Sequence, residues 1–318
     1  MDNIFCAWWN LENLFDEENA KDRSDKLSKV LGNELKGWSK EVLDKKIAKL
    51  SFIINKMNEG KGPDIIGVAE VENRKVLLQL KNSLSRKTYS IIHINSKDER
   101  GIDVGFIFDN TVFKRGKVFS HFIMKRTATR DIVQVNMKFK KNNKDIVFIG
   151  NHWPSRSAGG YESEPYRIIA GETLAYFHER IYEELGSNVP VIAMGDFNDN
   201  PYNRSILDYA LATNSGIKIK SAKTIKYFYN LMWKHLAEGT GSYYFDGFDV
   251  LDQFLVSGNI YLNKCFVSID EAGSTINNFP EMSKNGKPIR FGRPREKKSY
   301  NPDGYSDHFP ISLRLNIK

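Results

Sequence analysis

Short apolar runs of strand length alternate along this chain with a few segments whose apolar positions recur at the helical period. The strand-like runs are NIFCAWWNL (3–11), PDIIGVAEVE (63–72), YSIIHIN (89–95), DVGFIFD (103–109), KVFSHFIM (117–124), DIVQVNMKF (131–139), DIVFIGNHW (145–153), VPVIAMGDFN (189–198), FDVLDQFLVS (248–257), KCFVSID (264–270) and FPISLRLNI (309–317). Residues 39–58 place Val42, Leu43, Ile47, Leu50, Ile53 and Ile54 on one helical face, with Ser39 as N-cap. Further helices are expected over 74–84 and 164–185, with a short one at 203–212. A basic, Gly/Pro-containing insert at 283–305 is expected to be a loop. Strands outnumber helices and no linker or repeat interrupts them. The expectation is one α/β domain over residues 1–318, with mixed or antiparallel sheets.

The polar residues that close these runs are the informative ones. Asn10 ends the first, Glu70 the second, His152 a later one, and Asp196 with Asn198 another. Asp252 sits inside FDVLDQFLVS, and Asp307 with His308 opens the last strand. A single Asp or Asn there is usually a turn or a cap, by roughly ten to one. Five or six strands presenting Asn, Asp, Glu or His together suit one chemistry. Glu70 and Asp307 are hard oxygen donors suited to Mg²⁺ or Mn²⁺, and His152 and His308 handle protons or charge near neutral pH. Without a cation, so many acids would repel one another. Glu72 is read as a solvated or supporting neighbour of Glu70, and Trp8, Trp9, Tyr243 and Tyr244 as core residues or base-stacking surfaces.

WNLENLFD, GVAEVEN, RGIDVGFIF, NHWPSR, GDFNDNP, LDQFLVS and YSDHFPI occur in that order over residues 3–313. Together they resemble the endonuclease/exonuclease/phosphatase superfamily, the metal-dependent phosphoesterases related to pancreatic-type deoxyribonuclease. The resemblance implies a four-layer α/β sandwich, two mixed sheets face to face with helices outside. It implies that Glu70, Asp307 and Asn10 hold the metal and that Asp196 orients or deprotonates the attacking water. Asn198 would bond phosphoryl oxygens, His308 would stabilise developing charge with Asp252 orienting its ring, and His152 would lie near the leaving oxygen. Arg100 and Arg156 are expected to touch phosphate or support the site, although an arginine in a loop is more often solvated.

Composition narrows the reading less. The net charge of +8 points toward an anionic partner but is mostly lysine spread over the chain. Two cysteines without a Cys/His cluster exclude a zinc–thiolate framework. No run approaches the roughly 20 apolar residues of a membrane span, and the N-terminus lacks a leader pattern. The expected setting is therefore cytoplasmic, or secreted if a leader has been removed. The expected substrate is nucleic acid, most simply DNA cut endonucleolytically to 5′-phosphate and 3′-hydroxyl ends, with no obligate protein partner. A phospholipid, sphingomyelin or inositol phosphate is the alternative substrate, and an inactive binding module the alternative of another kind.

Overall fold

The computed structural model describes residues 3–96, 98, 101–125, 129–295 and 300–318. Its strands, in chain order, are β1 (Asn3–Leu14), β2 (Ile65–Val71), β3 (Tyr89–His93), β4 (Asp103–Asp109), β5 (Phe113–His121), β6 (Ile132–Phe139), β7 (Lys144–His152), β8 (Val191–Asp196), β9 (Ala212–Thr213) and β10 (Phe228–Asn230). They continue with β11 (Tyr243–Tyr244), β12 (Phe248–Asp249), β13 (Asp252–Ser257), β14 (Val267–Ile276), β15 (Ser283–Lys284), β16 (Lys287–Pro288) and β17 (Ile311–Ile317). One sheet runs β14-β17-β1-β2-β4-β3 and the other β5-β6-β7-β8-β13-β10-β9. Both are mixed: β1 pairs parallel with β2 but antiparallel with β17, and β7 pairs parallel with β8 but β8 antiparallel with β13.

Strand alternation sorts the core into layers. In β1, Trp8 packs with Phe106, Phe148, Met194 and Phe254 between the sheets. Its neighbour Trp9 joins Leu50, Ile54, Val68 and Leu77 on the opposite face. That outer face is covered by the helices Lys40–Lys56 and Arg74–Ser83. The first begins as its sequence implies, with the Ser39 hydroxyl accepting from the Val42 N–H. The other sheet is backed by the helix Gly160–Leu185, which contributes Ala170 and Leu174 to a cluster with Val147, Ile149, Ala193 and Leu255. The result is helix, sheet, sheet, helix, the four-layer arrangement the resemblance implies. Among the described residues, no helix is long and apolar enough to cross a membrane.

Several sequence expectations shift. The run at 117–124 forms a strand only to His121 and begins earlier, at Phe113. FDVLDQFLVS divides into β12 and β13, which lie in different sheets, and 203–212 supplies one wide turn, Ser205–Tyr209. The helix near 164 starts four residues sooner, at Gly160. Pro165 removes one amide donor there, and the Arg167 guanidinium and Ser163 hydroxyl bond the Gly160 and Gly159 carbonyls. The basic insert carries the small hairpin β15–β16.

Candidate active site

The ends of β1, β2, β7 and β8 and the starts of β13 and β17 meet at one edge of the sandwich. Asp196 is the register partner of His152 on one side and of Asp252 on the other, so three adjacent strands present a row of ionisable groups. In the facing sheet the ladder breaks where functional side chains are needed. The β1–β2 register shifts between Asn10 and Leu14, and the β2–β4 register shifts between Val68 and Val71. Glu70 holds φ of 64°, while Glu12 and Asn13 hold 52° and 60°. Such left-handed non-glycine residues cost about 1–3 kcal/mol each. Here they turn Glu70 so that the Asn13 N–H donates to its Oε2 at 2.8 Å and Asn10 Nδ2 reaches its Oε1 at 3.5 Å.

Asp196 is the hub. Its Oδ2 accepts from Asn10 Nδ2 at 3.1 Å and its Oδ1 from the Asn198 N–H at 3.0 Å. His152 Nε2 lies 3.7 Å from Asp196 Oδ2 and 3.8 Å from Glu70 Oε1, and His308 Nε2 lies 3.9 Å from Asp196 Oδ2. His308 Nδ1 meets Asp252 Oδ2 at 2.6 Å. The other Asp252 oxygen accepts the Trp8 indole N–H at 2.9 Å, and the Trp9 indole N–H donates to the His308 carbonyl at 2.9 Å. The Trp8–Trp9 pair is thus core and tether at once.

These placements shift the ionisations. Burial raises Asp196 to about 6, against the neighbouring His308, which pulls it down. Burial alone would lower His308, but the Asp252 carboxylate and its hydrogen bond hold the imidazolium and push it well above the usual range. Asp307 rises to about 7, through burial and then the charge of Glu12, with Glu70 adding to it. A carboxylate resisting ionisation beside two other carboxylates fits a divalent cation held by Glu70 and Asp307, with the Asn10 amide alongside. Asp196, Asp252 and His308 also bring three donor atoms within 4.8 Å of one another. Two of those three groups are bonded to each other, so that set is complete as a hydrogen-bonded pair facing Asp196.

The row opens into a cleft of about 510 Å³ lined by Asn10, Glu70, His152, Asp196, Asn198, Asp307 and His308, with Arg130 and Arg156 also on its wall. The structure therefore gathers Asn10, Glu70, His152, Arg156, Asp196, Asn198, Asp307 and His308 around one space, with Asp252 directly behind His308. Arg100 lies outside the described residues. The Asn198 amide donates from Nδ2 to the Trp153 carbonyl at 3.0 Å. Arg156 is held by the Asn198 carbonyl at 2.7 Å.

Of the two readings of Glu72, the solvated one is overturned. Glu72 is buried against Arg23, with Nε–Oε1 at 2.8 Å and Nη2–Oε2 at 2.9 Å, and it accepts the Asp16 N–H at 2.7 Å. Sequence reasoning passed over Ser306, whose hydroxyl donates to the Asn10 carbonyl and accepts the His308 N–H, and Ser242, which accepts the Asp252 N–H. It also passed over Glu12, whose carboxylate clamps Arg290 and the N–H groups of Phe291 and Gly292. A serine immediately before the Asp-His pair was the one visible signal.

Two mixed sheets between helices, with carboxylates, amides and histidines converging at the strand ends, define a phosphoesterase α/β sandwich. The endonuclease/exonuclease/phosphatase family model matches residues 5–317, and the chain belongs to that family, whose members are hydrolytic phosphoesterases. Among similar solved structures is a mannosyl-6-phosphatase of Bacteroides thetaiotaomicron, with TM-score 0.58 and 14% identity, covering 99% of this chain and 100% of that one. Human Nocturnin's catalytic domain gives TM-score 0.52 and 14% identity, covering 99% and 95%. TDP2 of D. rerio, complexed with single strand DNA product, gives 0.59 and 13%, covering 99% and 100%. No curated protein matches the chain.

Proposed function

We propose that this chain is a divalent-metal-dependent phosphodiesterase that hydrolyses nucleic acid, most simply a DNA endonuclease leaving 5′-phosphate and 3′-hydroxyl ends. The observation that carries the reading is the placement of the Asp196 carboxylate, 3.7 and 3.9 Å from two imidazole nitrogens and in one cleft with Glu70 and Asp307. Held by Glu70, Asp307 and Asn10, Mg²⁺ or Mn²⁺ would neutralise phosphoryl charge that otherwise repels a nucleophile. Asp196 accepts a hydrogen bond from the attacking water and takes its proton as the new P–O bond forms. His308, charged and fixed by Asp252, donates from Nε2 to a phosphoryl oxygen. Asn198 bonds a remaining phosphoryl oxygen, and His152 lies near the leaving oxygen, which takes a proton from solvent water as the P–O bond breaks and departs as alcohol. The basic balance of the chain favours a polyanionic substrate bound in a salt-sensitive way. One similar scaffold, TDP2 of D. rerio, holds single-stranded DNA product, so the fold accommodates a nucleic-acid strand.

The test is a hydrolysis panel with Mg²⁺, offering supercoiled plasmid, single-stranded DNA, RNA, sphingomyelin and inositol phosphates. Cleavage of nucleic acid, abolished by chelator and by Asp196→Ala, is expected. Intact nucleic acid beside hydrolysed headgroup or inositol phosphate would contradict the substrate choice. Binding that survives chelator and both His308→Ala and Asp196→Ala, without turnover of any substrate, would contradict the enzyme.

A further inference from the structure

The cleft has one wall that the hydrolytic chemistry does not use. Strands β11 and β12 form a hairpin whose tip carries Phe245, which lines the cleft while 82% exposed. A benzyl side chain left that open to water gains nothing from folding. The hairpin under it is nevertheless braced from several sides. Tyr244 packs edge-on against Phe248 at 5.1 Å, and the Lys287 ammonium of β16 sits 3.8 Å over the Tyr244 ring. Asp249 at the hairpin's foot accepts Asn200 Nδ2 at 2.6 Å. At the other foot the Tyr243 ring lies 4.8 Å from the His308 ring, and the two residues form a backbone bridge. Lys287 belongs to the insert that Glu12, two residues beyond Asn10, clamps by its carboxylate. The backbone that carries Phe245 is therefore held at a set position relative to Asn10 and His308.

We propose that Phe245 is a specificity-determining residue that stacks on the base of a nucleotide whose phosphate occupies the cleft, so that the preferred substrate is an unpaired strand. The inference rests on the nucleic-acid reading above. A phosphate held between the Asp196–His308 row and Arg156 leaves the Phe245 face beside it, where a flat ring attached through a sugar completes the contact. A base reaches that face only after leaving its neighbours' stack, which costs least in a single strand. A sugar or inositol ring would meet that face only through C–H groups, without the π-stacking a base supplies.

The experiment uses the full chain with Mg²⁺ and single-stranded oligonucleotides that carry either a normal nucleotide or a base-free tetrahydrofuran residue beside the scissile phosphate. The readout is the ratio of kcat/KM for base-bearing over base-free substrate, in wild type, Phe245→Ala and Phe245→Trp. Thermal unfolding checks that each variant folds, which the exposure of Phe245 favours. The ratio is expected to fall about tenfold in Phe245→Ala, within the range of base–aromatic stacking, chiefly through KM. It should be kept in Phe245→Trp, and single-stranded DNA should be cut faster than the matching duplex. An unchanged ratio in Phe245→Ala, or faster cleavage of duplex, overturns the stacking role while the nuclease reading stands. No cleavage of any oligonucleotide by wild type overturns both.

Discussion

At the scale of single residues, the site works through pairs in which one member fixes the other's proton. Asp252 holds His308 Nδ1 at 2.6 Å and is itself held by the Trp8 indole, so the ring presents Nε2 to the cleft in one orientation. Asp252→Asn keeps an oxygen for Trp8 but removes the charge that holds the imidazolium. The expected result is a loss of kcat of roughly a hundred- to ten-thousandfold, the range of a positioned acid–base group, with thermal unfolding little changed; steady-state kinetics beside a melting curve checks both. Asp196 and His308 were legible in the sequence because a buried strand is otherwise apolar, so a charged residue at its end stands out. The Trp8 and Trp9 tethers were not, since tryptophan in a strand reads as core whichever bond its N–H makes. The burial of Glu72 was not legible for a related reason: nothing in the sequence shows that the chain brings Arg23 to it.

At the scale of elements, packing sets the geometry of chemistry. Gly67 of β2 is the register partner of Trp8, and a Cβ there would lie 2.6 Å from the indole ring. Gly67→Ala must displace Trp8, which carries Asp252. It should destabilise the fold by about 1–3 kcal/mol, seen in urea unfolding, and lower kcat through the Asp252–His308 pair. The helix Gly160–Leu185 offers a test by pH. His178 is buried against Phe228, ring centroids 3.7 Å apart, and burial pushes its pKa down to about 3. The unfolded chain binds this proton below about 6.5 and the folded chain does not, so its contribution is present above that pH and lost as pH falls. His178→Phe should remove up to about 1.4 kcal/mol per pH unit from the decline in stability between pH 6 and 4, measured by urea unfolding at stepped pH. The long strands were readable from their apolar runs. The split of 248–257 was not, because Val250 and Leu251 continue the apolar pattern while β12 and β13 part into different sheets.

At the scale of the whole molecule, the two sheets are pressed together so that acids from both share one edge, and the cost of that arrangement is the cation's opportunity. Without metal, the Asp307 carboxyl titrates at about 7 because it is buried beside Glu12 and Glu70. A raised acid is stabilising while protonated and loses that contribution as pH rises through its folded value. Metal-free protein at pH 8 should therefore gain stability from Asp307→Asn, and wild type should gain in Tm from millimolar Mg²⁺ while the variant gains little; calorimetry with and without chelator distinguishes them. The order of the motifs made the architecture readable over nearly the whole chain, while the cleft's aromatic wall came only from the way the insert braces the hairpin. The most direct measurement is the anomalous difference map of crystals soaked in Mn²⁺. The account predicts a peak between the Glu70 and Asp307 carboxylates with the Asn10 amide beside it; a peak seated on Asp252 and His308, or none at this edge, would contradict it.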